Sequence, residues 1–143
     1  MLQKSRGETV VSVASNGLAD GVDVGSAEYE LNDFIVVKHL GTMPAFVLVN
    51  SNHRAKTFQE LTKQQRVTYG SSGVGSGTHI SAAITGSTFG NFIHVPYKGQ
   101  SQALVDVLSG QIDFLMESPI VADTYIQSGK LRPLAVLSPQ RLK

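Results

Sequence analysis

From Arg66 onward the chain alternates short apolar runs with helical stretches of about ten residues, and this alternation limits the possible folds most. Residues 66–70, 91–95, 112–116 and 131–137 read as strands. Between them lie three helical stretches. The first carries Ile80, Ala83 and Ile84 on one face, with Gly86 near its end. The second covers residues 100–109, buries Ala103, Leu104, Val107 and Leu108, and is closed by Gly110. The third opens with Ser118 as N-cap and Pro119 in the first turn, and ends at Ser128-Gly129. Strands separated by helices imply βαβ crossovers. The expected fold is therefore α/β, a mostly parallel sheet flanked by helices. Residues 112–116, apolar except for Asp113, suit a strand buried on both faces.

Upstream the pattern is looser. Residues 9–14 are mostly β-branched and read as a strand. Residues 15–33, rich in Gly, Asp, Ser and Asn, read as a long loop, and its packing partner is expected outside this chain. Residues 34–40 and 45–50 read as two strands broken by Gly41-Thr42-Met43-Pro44. Thr57-Phe58-Gln59-Glu60 is a capping box that opens a short helix ending near Gln65.

Composition removes several function classes. With 41% hydrophobic and 16% charged residues, the 143-residue chain can bury a core as one domain. Net charge is +1 without a basic cluster, so a nucleic-acid partner is not expected. There is no cysteine, hence no disulfide, thiolate metal site or cysteine nucleophile. His39, His53, His79 and His94 lack close ligand spacing, and no metal is expected. No apolar run approaches the roughly 18 residues of a membrane span. The positive start at residues 1–7 has no apolar stretch behind it, so no signal peptide is visible. A removed leader, a fragment and a cytoplasmic protein all stay open.

Ligands of open parallel sheets bind at the carboxyl ends of strands. Three strand-to-helix turns qualify: residues 70–78, 96–100 and 117–119. In the first, Gly73, Gly75 and Gly77 precede a helix, among Ser71, Ser72, Ser76 and Thr78. Glycine lets backbone N–H groups face a ligand, a helix N-terminus favours an anion, and hydroxyls add neutral donors. A carboxylate suits that chemistry. A plainer reading is a helix cap that needs glycine. The dinucleotide fingerprint fails because Thr78 stands where its third glycine belongs, and no lysine completes a P-loop. The hydrolase elbow Gly-x-Ser-x-Gly fails at both Ser72 and Ser76. His79 can contact a ligand, support the loop, pack, or act as a base beside Ser76, although no orienting acid is evident. Lys98 can offer charge to an acid or be solvated. Tyr97 can close over a ligand or pack on the sheet. Glu117 can select an amine, order a water, or favour the next helix N-terminus.

Four runs occur in order: residues 69–79 (Tyr-Gly-Ser-Ser-Gly-Val-Gly-Ser-Gly-Thr-His), 94–99 (His-Val-Pro-Tyr-Lys-Gly), 103–113 and 128–136. Asp33-Phe34 through Met43-Pro44, Val47 to Asn50, Lys56-Thr57 and Glu60-Leu61 add to the series. Together, over about residues 33–141, the chain resembles the Bug/TctC receptors of tripartite tricarboxylate transporters. That resemblance implies a two-lobed receptor of the type II periplasmic-binding-protein fold, secreted to the periplasm. It implies a small mono- or dicarboxylate held without a cofactor, delivery to membrane transporter subunits, and no enzymatic activity. It places Ser71, Ser72, Gly75, Ser76 and His79 on the ligand loop, and Lys98 and Glu117 on turns facing the same cleft. Glu117 stands where the family has Asp. By the same resemblance, residues 1–43 are a remnant of the first lobe and a crossover strand. Residues 44–131 are the ligand-binding lobe, and residues 132–143 return toward the first lobe. The family's first strand-loop-helix would precede Met1, its C-terminal continuation would follow Lys143, and the helix from Thr57 is shorter by about one turn. A homo-oligomer completing the missing lobe is therefore expected. So is the alternative, a truncated structural protein that has lost its ligand.

Overall fold

The structure is a computed structural model and describes residue 25 and residues 28–139. Five strands form one sheet: β1 (Phe46–Asn50), β2 (Val67–Ser71), β3 (Phe92–Pro96), β4 (Phe114–Glu117) and β5 (Leu131–Val136), in the order β3-β2-β4-β1-β5. β2 pairs in parallel with β3 and β4, while β1 pairs antiparallel with β4 and β5. Four strands thus point one way and β1 runs against them. The sheet is mixed, with the parallel part at β3-β2-β4.

Four helices cover it: α1 (Phe58–Thr62), α2 (Gly77–Phe89), α3 (Gln100–Ser109) and α4 (Pro119–Gln127). Side chains alternate across the sheet, so each face has its own core. Val47, Val49, Tyr69, Phe114 and Met116 meet Leu61 of α1 and Ala82 of α2. Leu48 and Leu115 meet Ala103, Leu104 and Val107 of α3 and Ala122 of α4. β4 lies between the two, with Phe114 and Leu115 fully buried. Gly110 closes α3 at φ 77, the left-handed conformation that glycine adopts without a Cβ penalty.

Several expectations are corrected. Residues 34–40 form no strand; they are irregular, with Ile35 91% and Val36 86% exposed. β-branched composition favours a strand only where a neighbour supplies the ladder, and no described strand pairs here. α1 ends at Thr62 rather than near Gln65, because Leu61 is its one buried residue and the next core side chain is Val67 in β2. The capping box is half formed: Thr57 Oγ1 accepts from the Glu60 N–H, but Glu60 Oε2 accepts from the Lys56 N–H. α2 buries Ala82 and Gly86, whereas Ala83 is exposed and Ile84 is 62% exposed. The helix lies so close to β3 that a Cβ on Gly86 would stand 3.0 Å from Phe92. Small residues must face the sheet there, and the large one points out. The strand expected at residues 9–14, and most of the loop at 15–33, lie outside the described residues; residues Leu31–Asp33 form a 3-10 turn.

Candidate functional site

β2, β3 and β4 are neighbours, and their carboxyl ends at Ser71, Pro96 and Glu117 bring the three turns to one edge. After β2 the chain passes to the α2 face; after β3 and β4 it passes to the opposite face, under α3 and α4. Adjacent parallel strands whose connections diverge leave a crevice between them. Phe46 pairs with both Glu117 and Val136, so the segments before β1 and after β5 leave the sheet at this same edge.

The loop from Ser71 to Ser76 is tied down by its own hydroxyls. Ser71 is fully buried, and its Oγ accepts from the Gly73 N–H at 3.2 Å and meets His94 Nε2 at 2.6 Å. Gly73 and Gly75 have φ of 136 and 77, which a side chain would strain. Ser76 caps α2: its Oγ accepts from the His79 N–H at 3.2 Å and donates to Gly73 O at 2.8 Å. Thr78 Oγ1 accepts from the Ser72 N–H at 3.3 Å. The N–H groups of Val74, Gly77 and Thr78 meet no acceptor among the described residues. They lie at the mouth of a 13-residue helix, where backbone dipoles favour negative charge.

His79 reaches back to the loop. Its Nδ1 accepts from the Gly75 N–H at 3.1 Å, and its ring stacks on His94 at a centroid distance of 4.0 Å. His94 stacks in turn on Tyr69. Burial first, then His79 beside it, lowers the pKa of His94 from the ordinary histidine value. Because His79 Nδ1 meets Gly75, and the Ser76 hydroxyl donates to Gly73, these two side chains do not form a nucleophile–base pair. Ser71 and His94 stand within hydrogen-bond reach, but Ser71 is sealed from solvent.

Lys98 is exposed; its N–H donates to Gln102, and its ammonium has no partner among the described residues. Tyr97 packs on the sheet. Its ring lies against Gly70 and its hydroxyl donates to Asp106 at 2.6 Å, and burial together with that bond pushes its pKa up to about 12. Glu117 Oε1 accepts from the Ser118 N–H at 2.7 Å, which supports the N-terminus of α4. The sequence reasoning passed over His94. Its signal was positional, since residue 94 opposite Tyr69 on a neighbouring parallel strand comes under the loop. On the loop, Val74 is 76% exposed. Two surface depressions, of about 530 and 440 Å³, lie elsewhere, lined by residues such as Arg54 and Gln64, and Asn50 and Lys130.

The profile of the tripartite tricarboxylate transporter family receptor, TctC, matches residues 4–143. The chain belongs to that family. A UPF0065 protein in the tcbD-tcbE intergenic region of Pseudomonas sp. is 26% identical over 96% of this chain and 43% of its own length. A ligand-free TctC solute binding protein from Polaromonas superposes with a TM-score of 0.73 at 31% identity, over 86% of this chain and 44% of that one. MatC from Rhodopseudomonas palustris, solved with bound malate, shares the fold at a TM-score of 0.63 and 20% identity, over 69% of this chain and 36% of MatC. The type II periplasmic-binding-protein fold is thereby established for this TctC-family chain. The chain spans less than half the length of these relatives.

Proposed function

We propose that this chain supplies the anion-holding wall of a solute receptor for a small mono- or dicarboxylate, and that it is not an enzyme. One observation carries the reading: the N–H groups of Val74, Gly77 and Thr78 lack acceptors among the described residues at the mouth of α2. Ser72 and Thr78 hydroxyls stand beside them, 3.4 Å apart, and can donate to a carboxylate oxygen. Ser71, Gly75, Ser76 and His79 shape the loop, while Lys98 and Glu117 flank it on the neighbouring turns. Family membership and the malate held by MatC support a carboxylate. A second wall facing this loop is supplied by a homo-oligomer. The protein acts in the periplasm and hands its ligand to membrane subunits of the transporter.

A second reading rests on a different observation. Ile35, Val36, Val37 and Leu40 are 74–91% exposed, an apolar segment that water does not favour. A stand-alone oligomer that covers this segment and holds no ligand would account for it. Calorimetric titration with a panel of mono-, di- and tricarboxylates separates the two readings. Heat of binding to at least one acid supports the receptor. A folded sample silent to every acid at about millimolar concentration, and dimeric by light scattering, supports the oligomer.

A further inference from the structure

Two imidazole rings lie under the ligand loop, and each takes hold of one of the glycines beside Val74. His94 on β3 pairs with Tyr69 of β2. Ser71 lies two residues beyond Tyr69, so its side chain leaves the same face of the sheet. There Ser71 Oγ meets His94 Nε2 at 2.6 Å, accepts from the Gly73 N–H at 3.2 Å and donates to Gly73 O at 3.0 Å. A hydroxyl has a single proton, and here it goes to Gly73 O; this leaves His94 Nε2 as the donor to Oγ. On the other side of Val74, His79 Nδ1 accepts from the Gly75 N–H at 3.1 Å. The two rings stack at a centroid distance of 4.0 Å, and Tyr69 backs His94 at 5.0 Å.

We propose that His94 is a positioning residue for the ligand loop: acting through Ser71, it fixes Gly73 and so holds the Val74 N–H ready for an anion. His94 acts from beneath, since it stands two residues short of the end of β3. Its ring is set between Tyr69 and His79, so the sheet and α2 fix its place rather than the loop. Ser71 is fully buried, and its hydroxyl therefore works on the loop and not on a ligand. Gly73 has no side chain to anchor it, and its φ of 136 is one of many conformations open to glycine. Its bonds to Ser71 Oγ, and the bond from Ser76 Oγ to Gly73 O at 2.8 Å, select that one. A donor already held in its bound geometry spares the cost of ordering it when the anion arrives. If the ring only filled space under the loop, a phenylalanine would serve as well.

The affinity half of this inference rests on the receptor reading above; the loop half does not, and the test separates them. His94→Phe keeps a flat ring for the stack and removes the bond to Ser71. His94→Gln returns an N–H donor to the same place. In the unliganded full chain, labelled with nitrogen-15, His94→Phe should shift the Val74 amide and speed hydrogen exchange at Gly73 by about fivefold or more. His94→Gln should bring both back toward the wild type. Gly73 and Val74 amides unchanged in a folded His94→Phe overturn the proposal, and so does a change that His94→Gln leaves unrelieved. Where His94→Phe does not fold, Ser71→Ala removes the other end of the same bond and is read in the same way. The second arm titrates malate and adipate, dicarboxylates of different length. His94→Phe and Ser71→Ala should each weaken the acid that binds by about fivefold or more, and His94→Gln by less. The double variant should bind no more weakly than the more affected single one, because both substitutions break one bond. Additive losses, or affinities equal to the wild type, contradict the proposal. Silence of the wild type to these and to every other acid of the panel counts against the receptor reading, and the unliganded amides then decide the role of His94.

Discussion

Gly70 shows how narrow the support beneath the loop is. A Cβ there would lie 2.6 Å from Ile112 Cδ1, 2.7 Å from Ala103 Cβ and 3.2 Å from the Tyr97 ring. The Ala103 contact is unyielding, because that methyl is fixed to the backbone of α3. Gly70→Ala should therefore cost about 1–3 kcal/mol through overpacking, despite the entropy that alanine saves in the unfolded chain. Urea unfolding should show a lower midpoint with an unchanged slope. Full wild-type stability would mean that α3 has room to shift. The same residues show what sequence reveals at this scale. The glycine and hydroxyl pattern singled out the loop as a candidate anion cradle. It did not reveal that Ser71 turns inward to His94 or that His79 holds Gly75, because both contacts depend on which strand lies beside β2.

Between elements, Asp113 is the clip that joins β4, β2 and the turn after β1. Its Oδ2 accepts from both the N–H and the hydroxyl of Thr68, and its Oδ1 meets His53 Nε2 at 3.1 Å. Burial pushes the Asp113 pKa up, but the Thr68 bonds and His53 outweigh it and hold it below the ordinary value of 3.8. A carboxylate with a depressed folded-state pKa adds stability above its unfolded value and loses it as pH falls through the folded one. The wild type should therefore lose stability below about pH 4 more steeply than Asp113→Asn, and the variant should be less stable at neutral pH. Parallel acid profiles of thermal unfolding would show the clip to be inert. At this scale the strands and helices from Val67 onward were legible, because each has a capping, glycine or apolar-run signal. Residues 34–40 and the buried face of α2 were not. A strand needs a partner that propensity does not supply, and a helix of small uncharged residues carries little record of which side faces the sheet.

As a whole molecule, the described residues form a three-layer lobe with the candidate loop on one edge. The segments that leave the sheet before Phe46 and after Val136 depart at that same edge, and the chain spans 43–44% of its relatives' lengths. The most direct test of the loop's role is to add malate to nitrogen-15-labelled chain and follow the amide resonances. The receptor reading predicts saturable shifts centred on Val74, Gly77 and Thr78, the N–H groups without acceptors among the described residues. A folded sample in which those three amides stay fixed with malate and with every other acid of the panel at about 10 mM, or in which shifts arise only away from the 71–79 loop, would contradict it.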